Sequence, residues 1–549
     1  MQMNPRRKWI LSTALALLAA CAACGDDAKP DPEPTPNPQP TPAKFTLAVS
    51  NDKLPVLQGS SGTLSVTVTR ETGFTGAVTL ALSGLPTGAS ATGATIASDA
   101  TKADITVTAA GTAPHSLPTT VTVTGTSGDA SATKTFAVTV RGPAGSQDTS
   151  FATGKVITTV GQSEDYAEAI AVQSDGKIIV VGRSAGATNT DFAVVRYNRD
   201  GDLDTGFGTG GKVTTAINAA SDEAYAVAVQ SDGKILVGGT TEAGASGYDF
   251  ALVRYNANGS LDTGFGTGGK VTTAFGNGPD KAYAIAVQSD GKIVLGGEAS
   301  FTTTGYDFAL ARYNADGSLD TGFGTGGKVT TALKADTSGR DVVFSLAQQT
   351  VGGQPRIVAV GGDGDFQLAR YTSAGALDTS FGTNGKITSV FGTVIGSARA
   401  SALSADGKLV VAGDANGGFA LARLTEAGTL DTSFGTGGKV VTQVNTGNEA
   451  VATALAVQSD GKLVAGGWTY TGGSSSGDFA VLRYEASGTL DTTFGNAGKV
   501  TTAVASGTKS DQAKAAALQP DDRVPVTRIL LAGSANESNN DFALTRYWP

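Results

Sequence analysis

Residues 203–255 read LDTGFGTGGKVTTAINAASDEAYAVAVQSDGKILVGGTTEAGASGYDFALVRY, and residues 261–313 read LDTGFGTGGKVTTAFGNGPDKAYAIAVQSDGKIVLGGEASFTTTGYDFALARY. The same sentence recurs, less closely, throughout 147–549. The Phe of its D-T-x-F element falls at Phe151, Phe207, Phe265, Phe323, Phe381, Phe434 and Phe494. Self-similarity at a fixed period of this length predicts a propeller or solenoid array. Each repeat contains four short runs of strand-like composition, as in AIAVQ, then a tight SDG turn, KIVLGG, a variable loop, DFALARYN, an ADGSLDTGFGTGG connection, and KVTT. Four strands in each of seven repeats predict an all-β, closed seven-bladed propeller, because closure removes the free strand edges of an open array.

The ends of the region predict how the ring closes. The first element, Asp148 to Phe151 followed by KVITT, has no preceding D-F-A-x-x-R strand, and the last such strand, Asp541 to Tyr547, has no following D-T-x-F. Lys155–Thr159 is therefore expected to supply the outer strand of the blade built from residues 513–547. A competing arrangement places KVTT innermost. It is disfavoured because AIAV is small and apolar, as a crowded axial strand should be, while KVTT is polar, as an edge should be.

Composition narrows the function. The formal charge of −9 and the lack of basic clusters argue against nucleic acid, which demands a cationic face. One His and two Cys in the whole chain leave few N/S ligands for a dedicated zinc site, and both cysteines lie near the N-terminus. No cofactor and no metal are expected.

The first twenty residues read as an address. Arg6, Arg7 and Lys8 precede the apolar run Trp9–Cys21, which is too short for a stable membrane span. Its end, Leu18-Ala19-Ala20-Cys21, resembles the lipobox of bacterial lipoproteins. The resemblance implies a signal peptide over 1–20, acyl chains on Cys21 (alternatively Cys24), and an envelope lipoprotein, most simply of the outer membrane. The membrane contact would be that anchor alone. Residues 21–44 are Pro-rich and favour polyproline II, so about 15 residues would make a semi-rigid stalk about 45 Å long.

Residues 45–142 alternate apolar and polar residues in runs such as GTLSVTVTR and TFAVTVR, which reads as a β-sandwich of about seven strands. The stretch Gly73 to Ala89, GFTGAVTLALSGLPTGA, looks like bacterial immunoglobulin-like modules. His115 reads as an exposed loop histidine without special role. The propeller region itself resembles the delta-60 repeat family, carried by the D-T-x-F elements, the Q-S-D-G-K turns and the D-F-A-x-x-R-Y strands. That resemblance implies a β-propeller and no particular activity. Repeats four (AQQTVGGQPRI), five (SALSADGKLV) and seven (ALQPDDRVPVTRI) depart from the pattern.

Two charged positions recur in all seven repeats. Arg196, Arg254, Arg312, Arg370, Arg423, Arg483 and Arg546 share one strand position. Asp204, Asp262, Asp320, Asp378, Asp431, Asp491 and Asp148 share the D-T-x-F position. The pattern predicts one charge-assisted hydrogen bond per blade, with Arg546 meeting Asp148 across the closure. Identity in every blade marks these as scaffold rather than as a metal or polyanion ring. The Q-S-D-G-K turns lack EF-hand spacing and read as two-residue Asp-Gly hairpin turns. The Gly-rich strings precede strands rather than helices, so they do not cradle phosphate.

The connections divide into two sets. Those within Q-S-D-G-K and D-T-x-F repeat almost verbatim. The others vary: RSAGATNT, TTEAGASGY, EASFTTTGY, DG, DANGG, WTYTGGSSSG and SANESNN. Variation gathered on one face of a constant scaffold is how a repeat protein builds a binding surface. Trp468, Tyr470, Phe301, Tyr248 and Tyr306 are the aromatic candidates there, suited to a glycan or a surface protein. With no His or Cys in the propeller, a non-catalytic binding or adhesion role is expected. A carbohydrate-active enzyme using acidic residues on that face is the alternative, and a purely structural envelope protein a third. Carboxylates clustered beside Trp468 would favour the enzyme, and a flat, neutral face the structural role.

Overall fold

The computed structural model describes residues 44–549 except 245–246, 335–339, 393–395, 446, 448, 471–475, 507–509, 524–525 and 537–538. The expected signal segment, Cys21, Cys24 and all of the expected stalk before Lys44 lie outside the described residues. Among those described, regular structure is almost wholly β, with one short 3-10 turn at Ala152–Gly154. No described helix is long and apolar enough to cross a membrane.

The first nine strands are β1 (Phe45–Val49), β2 (Lys53–Leu57), β3 (Ser61–Arg70), β4 (Val78–Ser83), β5 (Ala89–Ala91), β6 (Ala94–Ile96), β7 (Lys102–Ala109), β8 (Thr119–Ser127) and β9 (Ala130–Arg141). They form two sheets, β1-β3-β7-β5 and β2-β9-β8-β4-β6. Period-2 alternation drives this: in β3, Leu64, Val66 and Val68 are buried while Thr67 and Thr69 between and beyond them are not. Their faces meet over a core that includes Phe45, Leu80, Val107, Val121 and Phe136. The expected seven strands are nine, because ASATGATI contributes two three-residue strands too short to show periodicity.

Seven four-stranded antiparallel sheets follow. The first complete one runs Asp165–Val172, Ile178–Ala185, Thr190–Tyr197 and Lys212–Thr215, hereafter strand positions A to D. The A strands pack against one another in sequence, and the last, Asp511–Asp521, packs against the first. The A positions are therefore innermost, and KVTT lies at the outer edge.

The seventh sheet has strand order β10 (Lys155–Thr158), Asn540–Tyr547, Val526–Asn536 and Asp511–Asp521, so its outer strand comes from the start of the region and the other three from its end. Lys155 faces Thr545 and Thr158 faces Phe542 in an antiparallel register.

Strands B and C are covered on both faces, which explains their continuous apolar runs. Each apolar cluster draws on two successive sheets: Ile179, Val181, Phe192 and Val194 of one pack against Ala224, Val237, Ala251 and Val253 of the next. Burying one such side chain stabilises the fold by about 1.5–3 kcal/mol. Polar ties run the same way. Tyr255 donates its hydroxyl to Thr215 of the preceding sheet at 2.9 Å, as Tyr313 does to Thr273.

The Q-S-D-G-K connection is not a two-residue turn. Gly176 N donates to Gln173 O and Gln173 N to Lys177 O, so residues 173–177 form a longer loop. Gly176 is at φ +83° while Asp175 is not left-handed, as in a type I turn closed by a Gly bulge. A type I′ turn would need positive φ at both residues. His115 also differs from expectation. It is half-buried, and its Nδ1 accepts from Thr149 N and from Trp548 Nε1, both at 3.3 Å, linking the sandwich to the chain end.

Candidate functional site

The structure brings every Arg of the repeat against the Asp of D-T-x-F. The Arg Nε donates to the Asp Oδ2 at 2.8 Å in Arg196–Asp204, Arg254–Asp262, Arg423–Asp431 and Arg546–Asp148. The distance is 2.7 Å in Arg312–Asp320 and Arg483–Asp491, and 2.9 Å in Arg370–Asp378. Each guanidinium also lies over the Phe of the same element, 4.2 Å from the ring centroid in the closest pair, Arg254 and Phe265. The same guanidinia reach the next sheet: Arg312 donates to Ser373 O at 2.6 Å and Arg546 to Arg199 O at 2.8 Å.

Sequence reasoning missed a second cation at each carboxylate. Lys177, Lys234, Lys292, Lys408 and Lys462, the last residues of the turn motif or its SADGK variant, lie 2.7–3.1 Å from the same Asp oxygen. In the two repeats without that Lys, Arg356 and Arg528 take the place at 2.7 and 2.8 Å. Burial alone would push the Asp378 carboxyl up, but hydrogen bonds from Ser380 and Arg356 outweigh it and hold it down at about 2. These clamps are spent on one another and leave little to offer a ligand.

One set of residues that differ between repeats lies on the innermost A strands. Every A strand carries a one-residue bulge at the same register, between Ala167/Ala169, Ala224/Ala226, Ala282/Ala284, Val343/Ser345, Ala398/Ala400, Ala452/Ala454 and Ala513/Ala515. A bulge re-aims the extra side chain out of the ladder. The seven extra residues are Glu168, Tyr225, Tyr283, Phe344, Arg399, Thr453 and Lys514. All seven line one cavity of about 470 Å³, with Asp414, Glu449, Val451 and Trp468 completing its wall.

A glycine in strand B makes each bulge fit. Gly182, Gly239, Gly297, Gly361, Gly413, Gly467 and Gly533 stand opposite the residue before the bulge. A Cβ there would come within 1.8–2.1 Å of a backbone carbonyl oxygen in strand A or, at Gly361, of the residue just before it. The glycine recurs in every repeat and was the one available sequence signal for the bulge. The bulged residue itself follows no pattern.

Around the rim, Tyr225 and Tyr283 have ring centroids 5.0 Å apart, and Tyr283 and Phe344 5.4 Å, making a continuous aromatic shelf. Arg399 lies over Phe344 at 4.4 Å. Its Nε is buried and has no hydrogen-bond partner among the described residues. Burial pulls the Arg399 guanidinium below its usual range, against the opposing charge of Asp414. Burial likewise pushes the Asp414 and Glu168 carboxyls up, with Arg399 opposing at Asp414, and Lys514 and Arg183 at Glu168. Trp468 meets Tyr470 edge-on at 5.0 Å.

The other aromatic candidates do not reach the cavity wall. Tyr248 lies under Lys281, Tyr306 beside Arg340, and Phe301 packs at the edge of an apolar cluster. Of the five aromatic candidates only Trp468 lines the cavity.

A family described as "Domain of unknown function (DUF5122) beta-propeller" matches residues 173–207, 230–265, 288–323, 351–381, 404–434 and 458–494. The chain is a β-propeller repeat protein. No curated protein matches the sequence. A crystal structure of a protein of unknown function from Porphyromonas gingivalis W83 aligns at 9% identity over 52% of this chain and 97% of that one, with a TM-score of 0.14.

Proposed function

We propose that the seven sheets are the blades of one closed propeller, that the N-terminal sandwich is an immunoglobulin-like spacer, and that the chain is an envelope lipoprotein displaying a non-catalytic binding site. The anchor at Cys21 or Cys24 and the Pro-rich stalk support display. One observation carries the binding reading: the clamps are nearly the same in all seven sheets, whereas the seven bulged residues facing the cavity are chemically diverse. A scaffold repeats, and a recognition site breaks the repeat. The charged, aromatic cavity also weakens the case for a purely structural role.

The enzyme reading has its own support, because Asp414 and Glu449 share a cavity with Trp468 and Glu168 lies on the same wall. Paired carboxylates are the equipment of glycoside hydrolysis. A glycan and surface-polymer array probed with the full chain, beside a Trp468→Ala/Tyr470→Ala variant, tests both. Binding lost in the variant with the glycan recovered intact supports recognition. Shortened glycan products that disappear in Asp414→Asn support the enzyme. No binding and no cleavage would overturn the glycan reading.

A further inference from the structure

Resting on the binding reading, we infer that the axial cavity takes a carbohydrate bearing a carboxylate, a uronic-acid-containing oligosaccharide. Two sets of groups on one wall point to it. Tyr225, Tyr283 and Phe344 form a shelf across three successive blades, with Trp468 elsewhere on the wall. Sugar rings present apolar C–H faces that stack on such surfaces, while their hydroxyls need acceptors between them. Asp414, Glu449 and Glu168 place carboxyl oxygens on the same wall that can accept from those hydroxyls.

The second set is Arg399. Its side chain is packed on Phe344, its Nε is unsatisfied, and no carboxylate of the described residues forms an ion pair with it within 4.0 Å. A buried guanidinium edge without an acceptor is costly. A ligand carboxylate satisfies it with two parallel N–H···O bonds, the geometry for which Arg is suited and Lys is not. Lys514 on the same wall adds a second cation. A neutral sugar would use the shelf and leave Arg399 unmet. A simple carboxylate would meet Arg399 and leave the shelf unused. A uronate uses both.

The test is a titration of the full chain with short oligomers of galacturonate, glucuronate-containing glycosaminoglycan and alginate, each beside its carboxyl-reduced, neutral counterpart. At least one acid is expected to bind ten-fold or more tightly than its neutral twin. Arg399→Gln should erase that preference, leaving acid and neutral forms equal, and Trp468→Ala should weaken both. Arg399→Lys keeps the charge but loses the fork, and should retain under a tenth of the acid's affinity. It serves as the second variant if Arg399→Gln does not fold.

Equal binding of acid and neutral forms, lost in Trp468→Ala, would overturn the uronate inference while leaving the binding propeller standing. Binding of no oligomer, with other glycans captured on the array, would do the same. Capture of nothing on either would overturn both.

Discussion

At the scale of single residues, the charge that recurs in every repeat is spent on structure. Each D-T-x-F carboxylate sits between two cations, and the extreme case is Asp148, whose side chain and those of Arg528 and Arg546 are all fully buried. Removing one partner of a buried ion pair strands the other, at a typical cost of about 3–5 kcal/mol. Asp148→Asn should therefore destabilise the propeller by about that much, read from the midpoint of denaturant unfolding. Asp262→Asn should cost less, because Asp262 is 15% exposed and water can take up the loss. Equal costs would show that burial does not set the strength of the clamp.

The Arg–Asp pairing was legible in the sequence because both residues recur eight apart. The second cation was visible as the last residue of Q-S-D-G-K but was absorbed into a turn motif. Arg356 and Arg528 were not legible, since they come from repeats that have lost that motif and only the strand register brings them to the same oxygen.

At the scale of the element, the bulge and its facing glycine form one device. Strand A gains a residue, strand B gives up a side chain, and the extra residue turns toward the axis. In Gly297→Ala the new Cβ would lie 1.8 Å from Lys281 O and 2.7 Å from Ala282 Cα, both backbone, so strand A must move. The expected cost is about 1–3 kcal/mol, as for overpacking of a tight interior. Tyr283 should also leave the aromatic shelf. Gly291→Ala, with nothing within 4 Å of its Cβ, bears only the strain of a positive φ and should leave the shelf in place. Thermal melting and near-ultraviolet circular dichroism distinguish the two. An unchanged aromatic signal in Gly297→Ala would show that the glycine does not set the bulge.

The four-stranded repeat was readable from its period and turn signals, and the inner position of AIAV from its small side chains. The bulge was hidden because the A strands are almost uniformly small and apolar around it, as in DEAYAVAV and AVATALAV, so the one-residue shift of phase has no polar–apolar contrast to show against. The cavity residues were hidden by their very diversity, since repeat analysis looks for what stays the same.

At the scale of the whole molecule, a nearly uniform ring carries a non-uniform centre. The A strands pack in a closed circuit, β10 completes the last sheet, and Trp548 ties the chain end to His115 of the sandwich. Of the aromatic residues on the variable connections, Trp468 stands near the end of a B strand and lines the cavity, while Tyr470, Phe301, Tyr248 and Tyr306 do not line it. The proposed recognition happens at the axis, in the cavity lined by the bulged residues. The most direct measurement is a crystal structure of the full chain soaked with the tightest-binding acidic oligosaccharide. Ligand density is expected against Tyr283 and Trp468 with its carboxylate on Arg399. Density seated on the outer loops near Tyr248 and Tyr306, with the cavity empty, would contradict it.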